Sequence, residues 1–337
     1  MSSTAETLET PLGVIDSLQH GFDLINRRPW LLIIPLLVDL LLWRGPRLSI
    51  APLFARGVDL FTSQPEVATS LTPDMQTLLE TFRRLGDSYN LLALLAGSIT
   101  GLPSLLARVD VATGLAPVSP AVTLHDFRQV LLYIVLLIPA GLLIGSVWLA
   151  FLARATAPEA SERQPAWRHA GWIWFNTGLY LLLLAGAALI MGVLFALFSS
   201  ILILLLGPSS QYALLVLSFW FTIWFGIGLS FVISAIALDG VNVARAVWRS
   251  INVVGRNLSS TIGLLLLILL LSEGFTRIWL LIGGSTLGLS IGILGHAYIG
   301  VALTAATLLF YRARYEHWQR LRQNVAEARR KQADTRL

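Results

Sequence analysis

Apolar residues run almost unbroken through five stretches of this chain, 130–153, 176–206, 212–238, 259–282 and 287–311. A helix needs about 20 apolar residues to cross the hydrocarbon of a bilayer, and each stretch supplies them. A sixth stretch, 29–43, is shorter. It reads as a span when Pro29 takes the first helical position and Trp30 and Trp43 anchor its ends at the two interfaces. A signal peptide has a similar apolar length, but the region before this stretch is long and acidic (Glu6, Glu9, Asp16, Asp23) and no small-x-small cleavage site follows.

Between these stretches the pattern changes to one face in four. Val14, Leu18, Phe22 and Ile25 form a stripe that starts from Thr10-Pro11. Arg245, Arg249, Asn252 and Arg256 fall on one side of a helix whose other side carries Ala244, Val247, Trp248, Ile251 and Val254, the signature of an interfacial helix with arginines toward water and phosphates. Before the third span, Trp167, Trp172, Trp174 and Phe175 form an aromatic belt with Arg168 and His169. The chain therefore reads as three units, each an elbow helix followed by a helical hairpin.

An insertion at 44–129 separates the first two spans and is too long to be a bare loop. Thr72-Pro73 has the form of a cap and first helical residue, and Met75, Leu78, Leu79, Phe82 and Leu85 then repeat at helical spacing. This predicts a small extracytoplasmic helical cap. Residues 89–107 are apolar, but Gly97, Gly101 and Pro103 interrupt them, which suits an interfacial or re-entrant segment better than a seventh span.

Charge adds the topology. Basic residues precede the first span (Arg27, Arg28) and follow the second (Arg154, Arg163, Arg168), the fourth (Arg245, Arg249, Arg256) and the last (Arg312, Arg314, Arg320, Arg322, Arg329, Arg330, Lys331). The connections at 207–211 and 283–287 carry none. Basic segments stay on the cytoplasmic side, so six spans with both termini cytoplasmic are expected, and a seventh would carry the basic tail outside. Composition agrees: 55% of residues are hydrophobic and 13% charged, against about 25% charged in a soluble domain. The net charge of +5 resides in residues 312–337, directly after a span, where anionic lipid is a better partner than nucleic acid. Lys331 is the sole lysine and there is no cysteine, which removes P-loop and Schiff-base lysines, disulfides and thiolate chemistry.

The run Leu238-Asp-Gly-Val-Asn-Val-Ala-Arg-Ala-Val-Trp-Arg-Ser250, then Val253-Val-Gly-Arg-Asn257 leading into 264–271, resembles the elbow of a bacterial family, the membrane domain associated with glycerophosphoryl diester phosphodiesterases. Gly21 to Trp30, ending Asn-Arg-Arg-Pro-Trp, is similar to its N-terminal pattern. The resemblance covers about a tenth of the chain and implies six spans with elbow helices. It does not imply hydrolase activity or its metal ligands, because this chain leaves no room for the family's soluble barrel.

Ionisable side chains within spans cost about 2.5 to 3.5 kcal/mol at the centre and are functional candidates for that reason. Here they are Asp39, Glu273, Arg277 and His296. Glu273 and Arg277 are four apart and can pair with each other, Asp39 can pair with Arg44 or Arg47, and all four can share a polar pocket beneath the cap. Gly284, Gly288, Gly292, His296 and Gly300 recur every four residues, a face on which another helix can approach closely. Gly226, Ser230 and Ser234, and Gly141 with Gly145, repeat that device. No zinc motif or nucleophile elbow occurs, and nothing in the sequence supplies Ser98 or Ser104 with a base.

The expectation is an all-α integral membrane bundle of the cytoplasmic membrane. It comprises an elbow at 1–28, a six-span domain at 29–311 and a basic cytoplasmic tail at 312–337. No cofactor, metal or catalytic residue is expected. Its partners are membrane lipids, reached through Arg245, Arg249 and Arg256, and a membrane protein or second copy. A non-catalytic binding domain is the leading reading, a small-solute transporter using the outer-half polar residues the alternative, and a membrane hydrolase the third.

Overall fold

The computed structural model describes residues 11–64, 72–96, 100–108, 121–157, 165–207 and 209–334. Among the described residues the fold is all-helical apart from one small parallel sheet. Five helical segments among them are long and apolar enough to cross a membrane: Phe127–Thr156, Ala166–Leu206, Ser210–Asp239, Leu258–Ile282 and Thr286–Glu327. The stretch expected to be the first span is not among them, because it starts as a 3-10 turn, Pro29–Leu32, and continues only as the 12-residue helix α2, Ile33–Arg44. Gly97 and Ser98 of the interrupted apolar segment lie outside the described residues, as do Thr10 and Arg163.

The chain forms two compact units. One unit contains residues 27–151 and 269–301, and the other 1–26, 152–268 and 302–337.

In the first unit, α2 is followed by β1, Arg47–Ser49, which pairs in parallel with β2, Ala121–Thr123. Between them stand α3, Ala51–Thr62, and α4, Pro73–Ser88. Helix α4 starts where expected: the Thr72 side chain accepts a bond from the Met75 N–H at 3.4 Å, and Pro73 needs no donor there. The two helices pair through Phe54 and Phe82, with ring centroids 6.3 Å apart, and through an Arg83–Asp59 ion pair at 2.7 Å. They form a helix pair where the small helical cap was expected, with Leu78, Phe82 and Leu85 on the α4 stripe exposed. Helix α5, Phe127–Thr156, runs beside residues 29–48: the Trp148 Nε1–H donates to the Leu31 carbonyl at 3.1 Å, and Leu48 packs with Val130.

The second unit holds α1, Val14–Arg27, and α6, Ala166–Leu206, α7, Ser210–Leu229, α8, Val232–Asp239, and α9, Val243–Arg256. Helices α10, Leu258–Ile282, and α11, Thr286–Asp334, contribute to both units. Helix α6 is continuous for 41 residues, so the aromatic belt is the first turns of the span and not a separate elbow. No proline interrupts 166–206, and nothing there ends the helix. The basic tail likewise continues α11, which is 49 residues long. Helix α1 is a separate helix where the first elbow was expected, and it buries Leu18, Gly21 and Ile25 on one side. A Cβ on Gly21 would stand 2.5 Å from the Ala302 carbonyl oxygen, so only glycine admits this close crossing with α11.

The chain turns between α7 and α8 at Ser230 and Phe231, and elbow α9 repairs the break. Ser250, fully buried, donates to the Gly228 carbonyl at 2.7 Å and accepts from the Phe231 N–H at 3.1 Å. One hydroxyl thus serves two backbone groups that the interrupted helix leaves unpaired. Along α6 and α7, by contrast, large apolar side chains such as Leu189, Leu204 and Tyr212 are exposed, as expected of surfaces that face hydrocarbon.

Candidate functional site

Residues 89–96 enter the first unit, and residues 100–108 turn back within it. Asn90 sets the start: its Oδ1 accepts from the Leu48 and Leu92 N–H groups, both at 3.1 Å, which joins β1 to the 3-10 turn Leu91–Ala96. That turn lies on α5 where Gly141 leaves room for the Leu94 carbonyl, and Thr100 then fits against Gly145. Gly101 adopts φ +74, a conformation that other L-residues rarely take, and the chain reverses. On the way back Pro103 lies on Gly300 of α11 and Leu105 on Gly292. Gly141 is 14 residues into α5 and Gly300 is 14 residues into α11, a depth of about 21 Å at 1.5 Å per residue.

The small-residue face of α11 therefore receives irregular chain at Gly292 and Gly300. Of the other members, Gly284 borders open space, since a Cβ there would meet nothing within 4 Å, and Gly288 closes the turn against the Ile282 carbonyl. Helix α10 does approach α11, through Trp279, at Gly292 and Gly295.

Irregular backbone inside a bundle needs partners for its N–H groups, and Asp39 supplies them. Its carboxylate, fully buried, accepts from the Ser104 hydroxyl at 2.5 Å and from the Leu105 and Leu106 N–H groups at 3.0 and 3.2 Å. Ser104 Oγ in turn accepts from the Ala107 N–H at 3.2 Å. Asp39 thus holds a turn of backbone 65 residues away and does not pair with Arg44 or Arg47. Ser104 has a carboxylate beside it that the sequence did not reveal, but it is 3% exposed, which leaves no approach for a substrate.

Glu273 is also engaged elsewhere than expected. Its partner is Arg108, at 3.2 Å, which also donates to Ser272 at 2.9 Å. Arg277 lies one turn further along α10 and is exposed. His296 is buried in α11 within electrostatic reach of Arg108. The four intramembrane candidates thus divide: Asp39 ties down the inward end of the returning chain, Glu273 ties down its outgoing end, His296 lies buried in α11 near Arg108, and Arg277 takes no part in these contacts. The two ends of that tie, Asn90 and Arg108, carry no periodic signal in the sequence.

Elbow α9 has three faces where two were expected. Val243, Ala246, Ser250, Val253 and Val254 are buried, Ala244, Trp248 and Ile251 form an exposed apolar flank, and Arg245, Asn252 and Arg256 form the polar one. Arg249 departs from the expected headgroup-facing set. It turns inward to pair with Asp239, whose Oδ2 also accepts from the Tyr311 hydroxyl at 2.7 Å, and its guanidinium lies 4.6 Å from the Tyr315 ring centroid. Burial opposes the Arg249 charge, but the adjacent carboxylate more than offsets this and holds the group above the ordinary arginine range. Asp239 ends α8, with Gly240 in the left-handed conformation as its cap, so this latch joins α8, α9 and α11.

Among the described residues no three His, Asp or Glu side chains are placed to hold a metal ion. The chain matches no family model, no curated protein and no solved structure.

Proposed function

We propose that this chain is a non-catalytic integral protein of the cytoplasmic membrane that binds lipid or a membrane partner. One observation carries the reading: Asp39, the most deeply placed carboxylate among the candidates, already accepts three hydrogen bonds from the returning segment. A proton or solute pathway needs ionisable groups that meet water, and a hydrolase needs an accessible nucleophile. Asp39 and Ser104 offer neither, while Glu273 is neutralised by Arg108.

Six crossings with both termini cytoplasmic fit this reading. Leu31 is level with Trp148 of α5 and Leu48 with Val130. Those 18 residues of α5 correspond to about 27 Å at 1.5 Å per residue, close to the roughly 30 Å of bilayer hydrocarbon. Residues 31–48 thus run beside about 27 Å of α5, which supports a first crossing at 29–43 and an N-terminus on the cytoplasmic side. The exposed apolar surfaces of α6 and α7 are then available to lipid or to another membrane protein.

A transporter remains the second reading, because a non-helical segment that reverses about 21 Å into a bundle is a known setting for midplane ligand sites. The chain has no native cysteine, so single cysteines at Asp39, Glu273, Arg277 and His296 can be tested with an impermeant thiol reagent added from outside. The binding reading predicts no labelling at His296 in correctly inserted protein, whereas a cysteine at Asp39 also removes the carboxylate tie and reports the opening of the segment. Labelling at His296 that a small solute blocks would establish a water-filled pathway instead.

A further inference from the structure

In the second unit, two arginines that no ion pair balances among the described residues share one aromatic ring. Arg249 is neutralised by Asp239, and Arg312 by Glu316 at 2.6 Å. Arg256, on the polar flank of α9, and Arg322, on α11, have neither an ion pair nor a hydrogen bond among the described residues. Both rest on the same indole, with guanidinium carbons 4.9 Å and 4.8 Å from the ring centroid of Trp318. Arg322 reaches it from the next turn of the same helix, whereas Arg256 comes from a different element.

The indole itself is short of a partner. Trp318 Nε1 is buried and has no acceptor among the described residues. A tryptophan so placed normally donates that hydrogen, and leaving it unmet is costly. The ring is not free to turn away, because Tyr315 packs on it at 5.7 Å and Tyr311 stacks on Tyr315 at 5.8 Å. Two uncompensated cations and one orphaned donor therefore meet at a fixed aromatic plate. What they lack in common is an acceptor with several oxygens. Guanidinium groups match phosphate with paired hydrogen bonds, and both arginine heads are exposed and can part to admit it.

The surroundings favour a lipid as the source of that phosphate. The same helix that supplies Arg256 exposes Trp248 and Ile251 on its neighbouring flank, an apolar strip against which acyl chains can lie. We propose that Arg256, Trp318 and Arg322 form a seat for the phosphate of an anionic lipid headgroup. The inference rests on the binding reading above and names its ligand. Its test reads lipid retention, not water access, so either can fail alone.

The full-length protein, purified in detergent, is titrated with phosphatidylglycerol and with phosphatidylcholine, and retained lipid is counted by native mass spectrometry. Phosphatidylglycerol should be preferred, and R256Q and R322Q should each weaken its retention by at least about tenfold, as expected when a charge-assisted hydrogen bond is lost. The double variant should be little worse than either single one, and Trp318→Phe, which keeps the ring and removes the donor, should show a smaller loss. R168Q removes an exposed arginine of the same unit that does not touch Trp318 and should bind like the parent. An equal loss in R168Q would mean a diffuse charge effect and would overturn the seat, as would the absence of any preference between the lipids. Displacement of the lipid by millimolar inorganic phosphate would overturn the lipid assignment in favour of a soluble phosphate.

Discussion

Replacing Asp39 with alanine should release the returning segment while leaving the bundle folded. The carboxylate accepts three hydrogen bonds, two of them from backbone N–H groups that have no other described partner. Hydrogen bonds to a charged group contribute about 1.5 to 3 kcal/mol each after exchange with water, and three bonds that share one carboxylate do not add fully. Counting two of them gives roughly 3 kcal/mol as a lower value for the lost hold on residues 104–106. Local opening is governed by that same free energy, so the open fraction should rise about a hundredfold. A cysteine at Leu102, which is 4% exposed in the closed segment, reports it through its rate of modification by an impermeant thiol reagent. The parent should react slowly, Asp39→Ala about a hundred times faster, and Asp39→Asn in between, since its amide retains one acceptor oxygen. A rate in Asp39→Ala within about threefold of the parent would refute the argument that this carboxylate holds the segment.

Other substitutions test the remaining joints. Gly141→Ala should destabilise by about 1 to 3 kcal/mol in thermal unfolding, because the added carbon meets the Leu94 backbone carbonyl, whereas Gly186→Ala meets nothing within 4 Å and should be neutral or stabilising by up to about 1 kcal/mol. Ser250→Ala strands the Gly228 carbonyl and the Phe231 N–H at the α7–α8 break and should cost roughly 2 to 4 kcal/mol, with faster amide exchange confined to residues around 228–232. Tyr311→Phe should cost about 1 to 2 kcal/mol, and much less when Asp239 is already asparagine; additive losses in that double-mutant cycle would show that the hydroxyl and carboxylate are not coupled.

Much of the architecture was legible in apolar run length alone. The five long apolar helices, the one-sided burial of α1 and α9, and the Thr72-Pro73 start of α4 each follow from a local pattern. Gly101 and Pro103 likewise marked the segment that cannot continue as a helix. What local pattern could not carry was partnership. Asp39 meets Ser104 across 65 positions and Glu273 meets Arg108 across 165, and in both cases a nearer residue of suitable charge stood available in the sequence. Four-residue spacing predicted a Glu273–Arg277 pair because it ranks neighbours on one helix and knows nothing of a loop inserted beside it. The elbow shows the same limit. Its arginines share a flank by periodicity, but Arg249 sits at the edge of that flank nearest the buried face, where Asp239 draws it inward.

Residues 89–96 and 100–108 enter and leave the bundle through one surface, with Asp39 as the internal tie. Single cysteines at Tyr89 and Ala107, which flank the segment, can be labelled with the impermeant reagent from each side of sealed, oriented vesicles. The account predicts that both react from the outer side and neither from the cytoplasmic side. Reaction of one from each side would mean that the segment crosses the membrane, and would contradict both the reversal at Gly101 and the placement of the basic tail.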